Sequence, residues 1–101
     1  MTTVVKLVER RVWPDDIVRI DRRTKWGNPF VIGRDGNRKQ VIDKYAEWIA
    51  SSVDAAPLRA AIRRGELVGK QLACHCYPLP CHGDVLAQLS EKHGRFVKEV
   101  S

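Results

Sequence analysis

The spacing of apolar residues changes several times along this chain of 101 residues. Short β-prone runs within residues 4–8, 16–20 and 70–76 predict strands. Apolar residues within 38–52 recur at helical spacing, and Pro57 begins a second helical stretch that Gly65 ends. A third helix is predicted from Cys81 to Lys92, with Gly94 ending it before a closing strand or tail at residues 96–100. Strands that alternate with helices predict an α/β fold, here a small Rossmann-like domain whose partly parallel sheet is flanked by helices.

The length of the chain predicts a single domain that spans residues 1–101. The first residues lack the features of a secretory signal, and the longest apolar runs are too short to span a bilayer. The cysteine count of 3 is odd, whereas a secreted disulfide framework normally pairs its cysteines. We therefore expect a cytoplasmic protein that does not act on a membrane.

The formal net charge of +6 predicts attraction to phosphate-bearing or acidic partners. The basic residues fall into three groups, which are Arg19, Arg22, Arg23 and Lys25, then Arg34, Arg38 and Lys39, then Arg59, Arg63 and Arg64. One interpretation is a face that binds phosphate or nucleic acid. The other is the solvated surface of an ordinarily basic protein, since few aromatic residues lie among these charges.

All cysteines lie between Cys74 and Cys81, with His75 and His82 among them. This segment follows a predicted strand and precedes a predicted helix, which is where α/β proteins usually bind ligands. One interpretation is a zinc site formed by Cys74, Cys76, Cys81 and His82, an accepted ligand set. The single residue between the first two cysteines is a shorter gap than such sites usually have.

A second interpretation of the same segment is a pocket for an anion or a nucleotide. Cys76 would end the strand, Gly83 would let a ligand approach the helix N-terminus, and Asp84 would bind a sugar hydroxyl or orient His82. Cys81 at that terminus would have a lowered pKa, so Cys81 and His82 are the candidate catalytic residues. In a third interpretation the cysteines only pack as small apolar groups, and His82 caps the helix or pairs with Asp84.

The segment Thr24–Phe30 is the second candidate for binding. Trp26 could stack on a ring, Asn28 could hydrogen-bond to it, and Lys25 could contact a phosphate. In the alternative interpretation, Trp26 and Phe30 only anchor a long loop onto the sheet. We expect the other two tryptophans, Trp13 and Trp48, in the core.

The segment Lys25–Phe30, followed downstream by Leu72–Cys76 and Pro80–Leu86, resembles the family known as domain of unknown function 4326. Its members are small proteins of bacteriophages and bacteria, and the resemblance covers roughly residues 17 to 90. Members commonly carry an aromatic residue in place of His75, which implies that His75 is not an essential ligand. The Cys81-His82 pair is also similar to the pair in a second Rossmann-like family. Because the upstream cysteine pair is not complete in that family, this similarity weighs against a zinc site. The resemblance implies an α/β fold, a site in these segments and a phage origin, but no reaction.

Two function classes follow from the sequence. In the first, the chain binds a nucleotide-like or phosphorylated small molecule between the loop Trp26–Phe30 and the turn Cys76–Asp84, with or without chemistry by His82 or a cysteine. In the second, it is a non-enzymatic basic module that binds a host protein or nucleic acid, with or without a stabilising zinc ion. A steep fall of binding with salt would distinguish nucleic acid from a protein partner.

Overall fold

The computed structural model describes residues 2–100, with side chains through Lys92. Within residues 2–100, one sheet contains three strands, β1 (Thr3–Lys6), β2 (Ile17–Arg19) and β3 (Gln71–Cys74). β3 lies between the other two and pairs in parallel with both, so that Leu72 is opposite Val4 on one side and Val18 on the other. The α/β prediction is confirmed, and every strand pair in the described sheet is parallel.

The predicted helices are present, with one difference at the end of the chain. They are α1 (Arg38–Ser51), α2 (Ala56–Arg63) and α3 (His82–Val100), with a short 3₁₀ turn at Val53–Ala55. Asn37 and Gln40 form a reciprocal capping box that fixes the start of α1. We expected Gly94 to end the last helix and a strand or tail to follow, but α3 continues to Val100. A single glycine inside a helix costs only about 1 kcal/mol and does not by itself end it.

Helix α3 holds the sheet and the other helices together. It packs on β1 and β3, while α1 and α2 pack against α3 and against each other. The buried cluster between these elements includes Ile20, Tyr45, Ile49, Leu58, Ile62, Leu67, Leu72 and Leu86. In the described part of the chain, every buried side-chain nitrogen or oxygen has a hydrogen-bond partner. None of the helices there is long and apolar enough to cross a membrane.

The tryptophans are arranged differently from the prediction. Trp26 is only 4% exposed and belongs to the core, where the Tyr45 hydroxyl donates a hydrogen bond of 2.9 Å to its carbonyl oxygen. Trp13 is partly exposed beside the guanidinium of Arg19, so its assignment to the core is wrong. Trp48 is half-buried and packs against the core. The loop around Trp26 is thus pinned beneath α1.

Candidate functional site

A cleft of about 330 Å³ opens beyond the carboxyl ends of β2 and β3. The starts of α1 and α3 border it, as expected for a parallel sheet followed by helices. Its lining residues are Asp21, Arg22, Arg23, Asn28, Phe30, Ile32, Arg38, Val41, Ile42, Cys74, His75, Cys76, Pro80, Cys81 and His82. We call Cys74, Cys81 and His82 the cleft floor, and Arg22, Arg23 and Arg38 the cleft rim. Both sequence-predicted segments therefore contribute residues to one cleft.

His82 is the first residue of α3 and is buried at the cleft floor. Its Nε2 lies 2.7 Å from the Ile20 carbonyl oxygen, which can only accept, so Nε2 carries a proton. The ring also meets Tyr45 edge to face, with 5.0 Å between the ring centroids. Burial lowers the pKa of His82, which favours the neutral imidazole with an unprotonated Nδ1.

Cys81 and Asp84 together begin α3. The sulfur of Cys81 accepts a hydrogen bond of 3.3 Å from the Gly83 amide, and an oxygen of Asp84 accepts one of 3.2 Å from the Cys81 amide. This reciprocal pair resembles a capping box in which a thiol replaces the usual hydroxyl. The Asp84 carboxylate thus bonds the helix start instead of His82, and it does not line the cleft.

Gly83 allows α3 to lie close to the sheet. A Cβ atom at this position would be 2.8 Å from Cδ1 of Ile20 and 3.2 Å from both the Cys81 sulfur and Cγ2 of Val4. Real Cβ atoms essentially never come as close as 2.8 Å. The missing side chain therefore serves the packing of the helix on the strands, and Gly83 does not line the cleft.

The two buried thiols at the cleft floor have pKa values shifted in opposite directions. The contact between the two side chains raises the pKa of Cys74 far above its ordinary value, and burial acts in the same direction. The same contact lowers the pKa of Cys81, as does the Gly83 amide, against the effect of burial. Cys81 therefore has the greater thiolate character. All three cysteines are free, and Cys76 is partly exposed at the cleft wall.

The metal-ligand candidates converge in part. The sulfurs of Cys74 and Cys81 and a ring nitrogen of His82 all lie within 4.8 Å of one another. The sulfur of Cys76 is not part of this group, although Cys76 contacts Cys74 through its amide and its side chain. His75 is exposed and directs Nε2 toward Asp21, at 3.6 Å from a carboxylate oxygen.

The loop Trp26–Phe30 forms the opposite wall through two of its residues. Asn28 is 8% exposed, and its amide donates to the Val41 carbonyl at 3.2 Å and accepts from the Phe30 amide at 2.9 Å. These bonds tie the loop to α1 and place Asn28 and Phe30 at the cleft. Trp26 is buried behind this wall and does not line the cleft, so its ring is not open for stacking.

Lys25 also lies away from the cleft. Its ammonium group is 3.5 Å from a carboxylate oxygen of Glu66 and 5.1 Å from the centroid of the Trp26 ring. Among the residues predicted to contact a ligand, Asn28 and Cys76 therefore line the cleft, whereas Lys25 and Trp26 lie outside it.

The rim arginines were placed in two basic groups from the sequence but were not assigned to the cleft. Arg22 donates to the carbonyl oxygens of Asn28 and Phe30, each at 3.3 Å, and Arg38 donates to that of Pro80 at 3.1 Å. Arg22 follows β2 closely and Arg38 is the first residue of α1. Their positions at the end of a strand and the start of a helix could have identified them as cleft residues from the sequence.

The acidic group at the cleft is already partnered. Burial raises the pKa of Asp21, but the hydrogen bonds and charge of Arg19 more than offset this effect, and the net pKa is lowered. The guanidinium of Arg19 lies 2.9 Å from Asp21 and 2.7 Å from Glu9. The rim therefore keeps a positive balance at the cleft.

Comparison with known proteins points to one family. The pattern of the family described as Domain of unknown function (DUF4326) matches residues 5–92. The chain is similar to an "Uncharacterized 12.4 kDa protein in nrdA-td intergenic region" of Enterobacteria phage T4, with 34% identity over 73 residues. That match covers 71% of this chain and 65% of the phage protein. No solved structure matches the chain.

Proposed function

The chain belongs to the DUF4326 family and is similar to a phage protein, and we propose that it binds a nucleotide-like or phosphorylated small molecule in the cleft. The observation that carries this proposal is the cleft rim, in which Arg22, Arg23 and Arg38 border one concave site. Guanidinium groups bind phosphate through parallel charged hydrogen bonds, so a rim of this kind suits a phosphate group.

The rim retains donors for a ligand. A guanidinium carries five N–H donors. Arg22 uses its side chain for two carbonyl oxygens of the loop, and Arg38 uses one nitrogen for Pro80. These bonds hold the guanidinium groups in place and leave further N–H groups for an anion, which lowers the entropy that a ligand must remove on binding.

The interior of the cleft suits the rest of such a molecule. Its volume of about 330 Å³ lies in the range of small-ligand sites, roughly 300 to 1,000 Å³. Phe30, Ile32 and Ile42 provide apolar surface for a ring, while Asn28 and Cys76 also line the cleft. A nucleotide, with an apolar ring face and a charged phosphate, combines the two properties that the cleft offers.

Groups capable of chemistry lie at the cleft floor. Cys81 has the lowered pKa of a potential nucleophile, and the unprotonated Nδ1 of His82 is a potential base. The proposal itself concerns binding. Turnover of a bound compound, lost in Cys81→Ser with its affinity retained, would extend it to catalysis.

Binding is tested by isothermal titration with inorganic phosphate, pyrophosphate, ribose 5-phosphate and the nucleoside 5′-monophosphates. At least one compound should bind, and Arg38→Gln should weaken it about tenfold or more, because a charged hydrogen bond is worth about 1.5–3 kcal/mol. The matched control is Arg63→Gln on α2, which removes the same charge from an exposed position outside the cleft. Equal loss in both variants, or no binding of any compound, would refute the proposal.

The second function class, a basic module for nucleic acid or a host protein, has less support from the structure. Several basic side chains away from the cleft are already engaged. Arg59 donates to the carbonyl oxygens of Ile49 and Ser52, and Arg64 pairs with Glu66. Binding to nucleic acid that weakened steeply with salt, equally in Arg38→Gln and Arg63→Gln, would favour this class instead.

A further inference from the structure

We propose that Cys74, Cys81 and His82 bind one zinc ion at the cleft floor, with the fourth coordination position open to the cleft. Their three ligand atoms lie within 4.8 Å of one another, and all three residues are buried. Two cysteines and one histidine with an open position form an established type of zinc site. This inference goes beyond phosphate binding and does not depend on it.

The hydrogen bonds around these residues match those of a metal centre. A metal-binding histidine usually donates its second ring N–H to a backbone carbonyl or carboxylate, which fixes the tautomer. His82 has this arrangement, because Nε2 donates to the Ile20 carbonyl at 2.7 Å and leaves Nδ1 as the nitrogen with a free lone pair. The Gly83 amide donates to the Cys81 sulfur at 3.3 Å. A zinc ion bound through Nδ1 would leave both of these bonds in place.

The geometry requires only a small adjustment. In a tetrahedral site with bonds of about 2.0–2.3 Å, the ligand atoms lie about 3.5–3.8 Å apart. The observed limit of 4.8 Å exceeds this by about one ångström. Cys74 ends β3 and His82 begins α3, so two regular elements position the ligands. Ligands held by regular elements are more exact in position than ligands on loops.

The fourth coordination position is inferred to be open from where the remaining candidate ligands, Cys76 and His75, lie. The sulfur of Cys76 does not belong to the convergent group, although Cys76 lines the cleft. His75 is exposed and faces Asp21, so it is not available as a ligand. The three floor residues also line the cleft, and the open position therefore faces the volume in which a small molecule would lie.

The test begins with the wild-type protein, reduced and stripped of metal, titrated with Co²⁺ and followed by absorption. We expect one equivalent of Co²⁺ to bind, with thiolate-to-cobalt bands as intense as two thiolate ligands produce. One equivalent of Zn²⁺ should then displace the Co²⁺. Circular dichroism during the titration checks that the protein is folded. A folded protein that develops no thiolate-to-cobalt band would overturn the proposal.

Variants then identify the ligands. Cys81→Ser should weaken zinc binding at least about a hundredfold in competition with a chelator, and should halve the thiolate band of any cobalt that still binds. His75→Ala is the matched control for a neighbouring histidine and should leave affinity and spectrum unchanged. Full affinity in a folded Cys81→Ser variant would overturn the assignment.

Cys76→Ser tests the open position. With the fourth position open, this variant should retain one equivalent of metal and the two-thiolate spectrum. A three-thiolate spectrum in the wild type that falls to two in Cys76→Ser would show a closed site with four protein ligands, and would overturn the open position.

Discussion

The cleft floor and the cleft rim border the same cleft, but buried contacts hold the floor in place and exposed hydrogen bonds hold the rim. The floor is buried and connects β3 to α3. Two of the three rim arginines, Arg22 and Arg23, are exposed, and the bonds from Arg22 and Arg38 reach only the carbonyl oxygens of loops. A change at the floor therefore alters folding and chemistry together. A change at the rim should alter ligand binding alone.

The largest effect should come from His82→Ala, which we expect to lower the free energy of unfolding by about 2–4 kcal/mol. The substitution removes the ring that packs against Tyr45 and leaves the Ile20 carbonyl without its side-chain partner. Urea denaturation in the presence of EDTA measures this loss without any contribution from bound metal.

The neighbouring histidine provides the control for that substitution. His75 is exposed, so His75→Ala should change the free energy of unfolding by no more than about 0.5 kcal/mol. Equal losses in the two histidine variants would show that the floor is not a distinct buried region.

A second test of the floor is Gly83→Ala, with an expected loss of about 1–3 kcal/mol from overpacking. The new methyl group would meet Cδ1 of Ile20, an atom that valine lacks. In an Ile20→Val background, Gly83→Ala should therefore cost less, by more than about 0.5 kcal/mol. Strictly additive losses in thermal or urea denaturation would contradict the close contact between Gly83 and Ile20.

The rim should show the opposite behaviour. Arg38→Gln removes one hydrogen bond to the Pro80 carbonyl at an exposed contact. We expect a change of no more than about 0.5 kcal/mol in the free energy of unfolding, together with the loss of ligand affinity described above. A loss of stability similar to that of His82→Ala would remove the distinction between the two regions.

The smallest effect concerns the loop before α1, which carries Ile32 to the cleft. The Asp35 carboxylate accepts hydrogen bonds from the Val31 amide and the Arg34 guanidinium, which lower its pKa. Its contribution to stability is present above the unfolded pKa, near pH 4, and is lost as the pH falls through the lower folded pKa. Denaturation curves of wild type and Asp35→Asn should differ slightly above pH 4 and converge below it. A constant difference down to pH 2 would contradict this assignment.

Most secondary structure could be predicted because each element has its own local pattern. Val41, Tyr45 and Ile49 recur at helical spacing and are buried on α1. The order of the sheet has no such local signal. Placing β3 between β1 and β2 depends on contacts between residues about 70 positions apart, such as Val4 and Leu72.

The position of the cysteine segment between the end of β3 and the start of α3 could be predicted from local patterns, and such segments lie at the edge of the sheet where α/β proteins usually bind ligands. Burial of individual side chains was harder to predict. Trp26 and Trp13 have similar polar neighbours in the sequence, yet only Trp26 is covered by α1. Arg22 and Arg38 belong to separate basic groups, and only the tertiary fold brings both to one cleft.

The central claim is that the loop Trp26–Phe30 and the cysteine turn bind one ligand between them. Titration of ¹⁵N-labelled protein with each phosphate compound of the calorimetric panel tests it by amide chemical shifts. The account predicts that the amides of Asn28 and Phe30 on one wall and of Cys76 and His82 on the other shift with a single affinity. Shifts confined to one wall or to the α2 surface around Arg63, or no shifts at all, would contradict it.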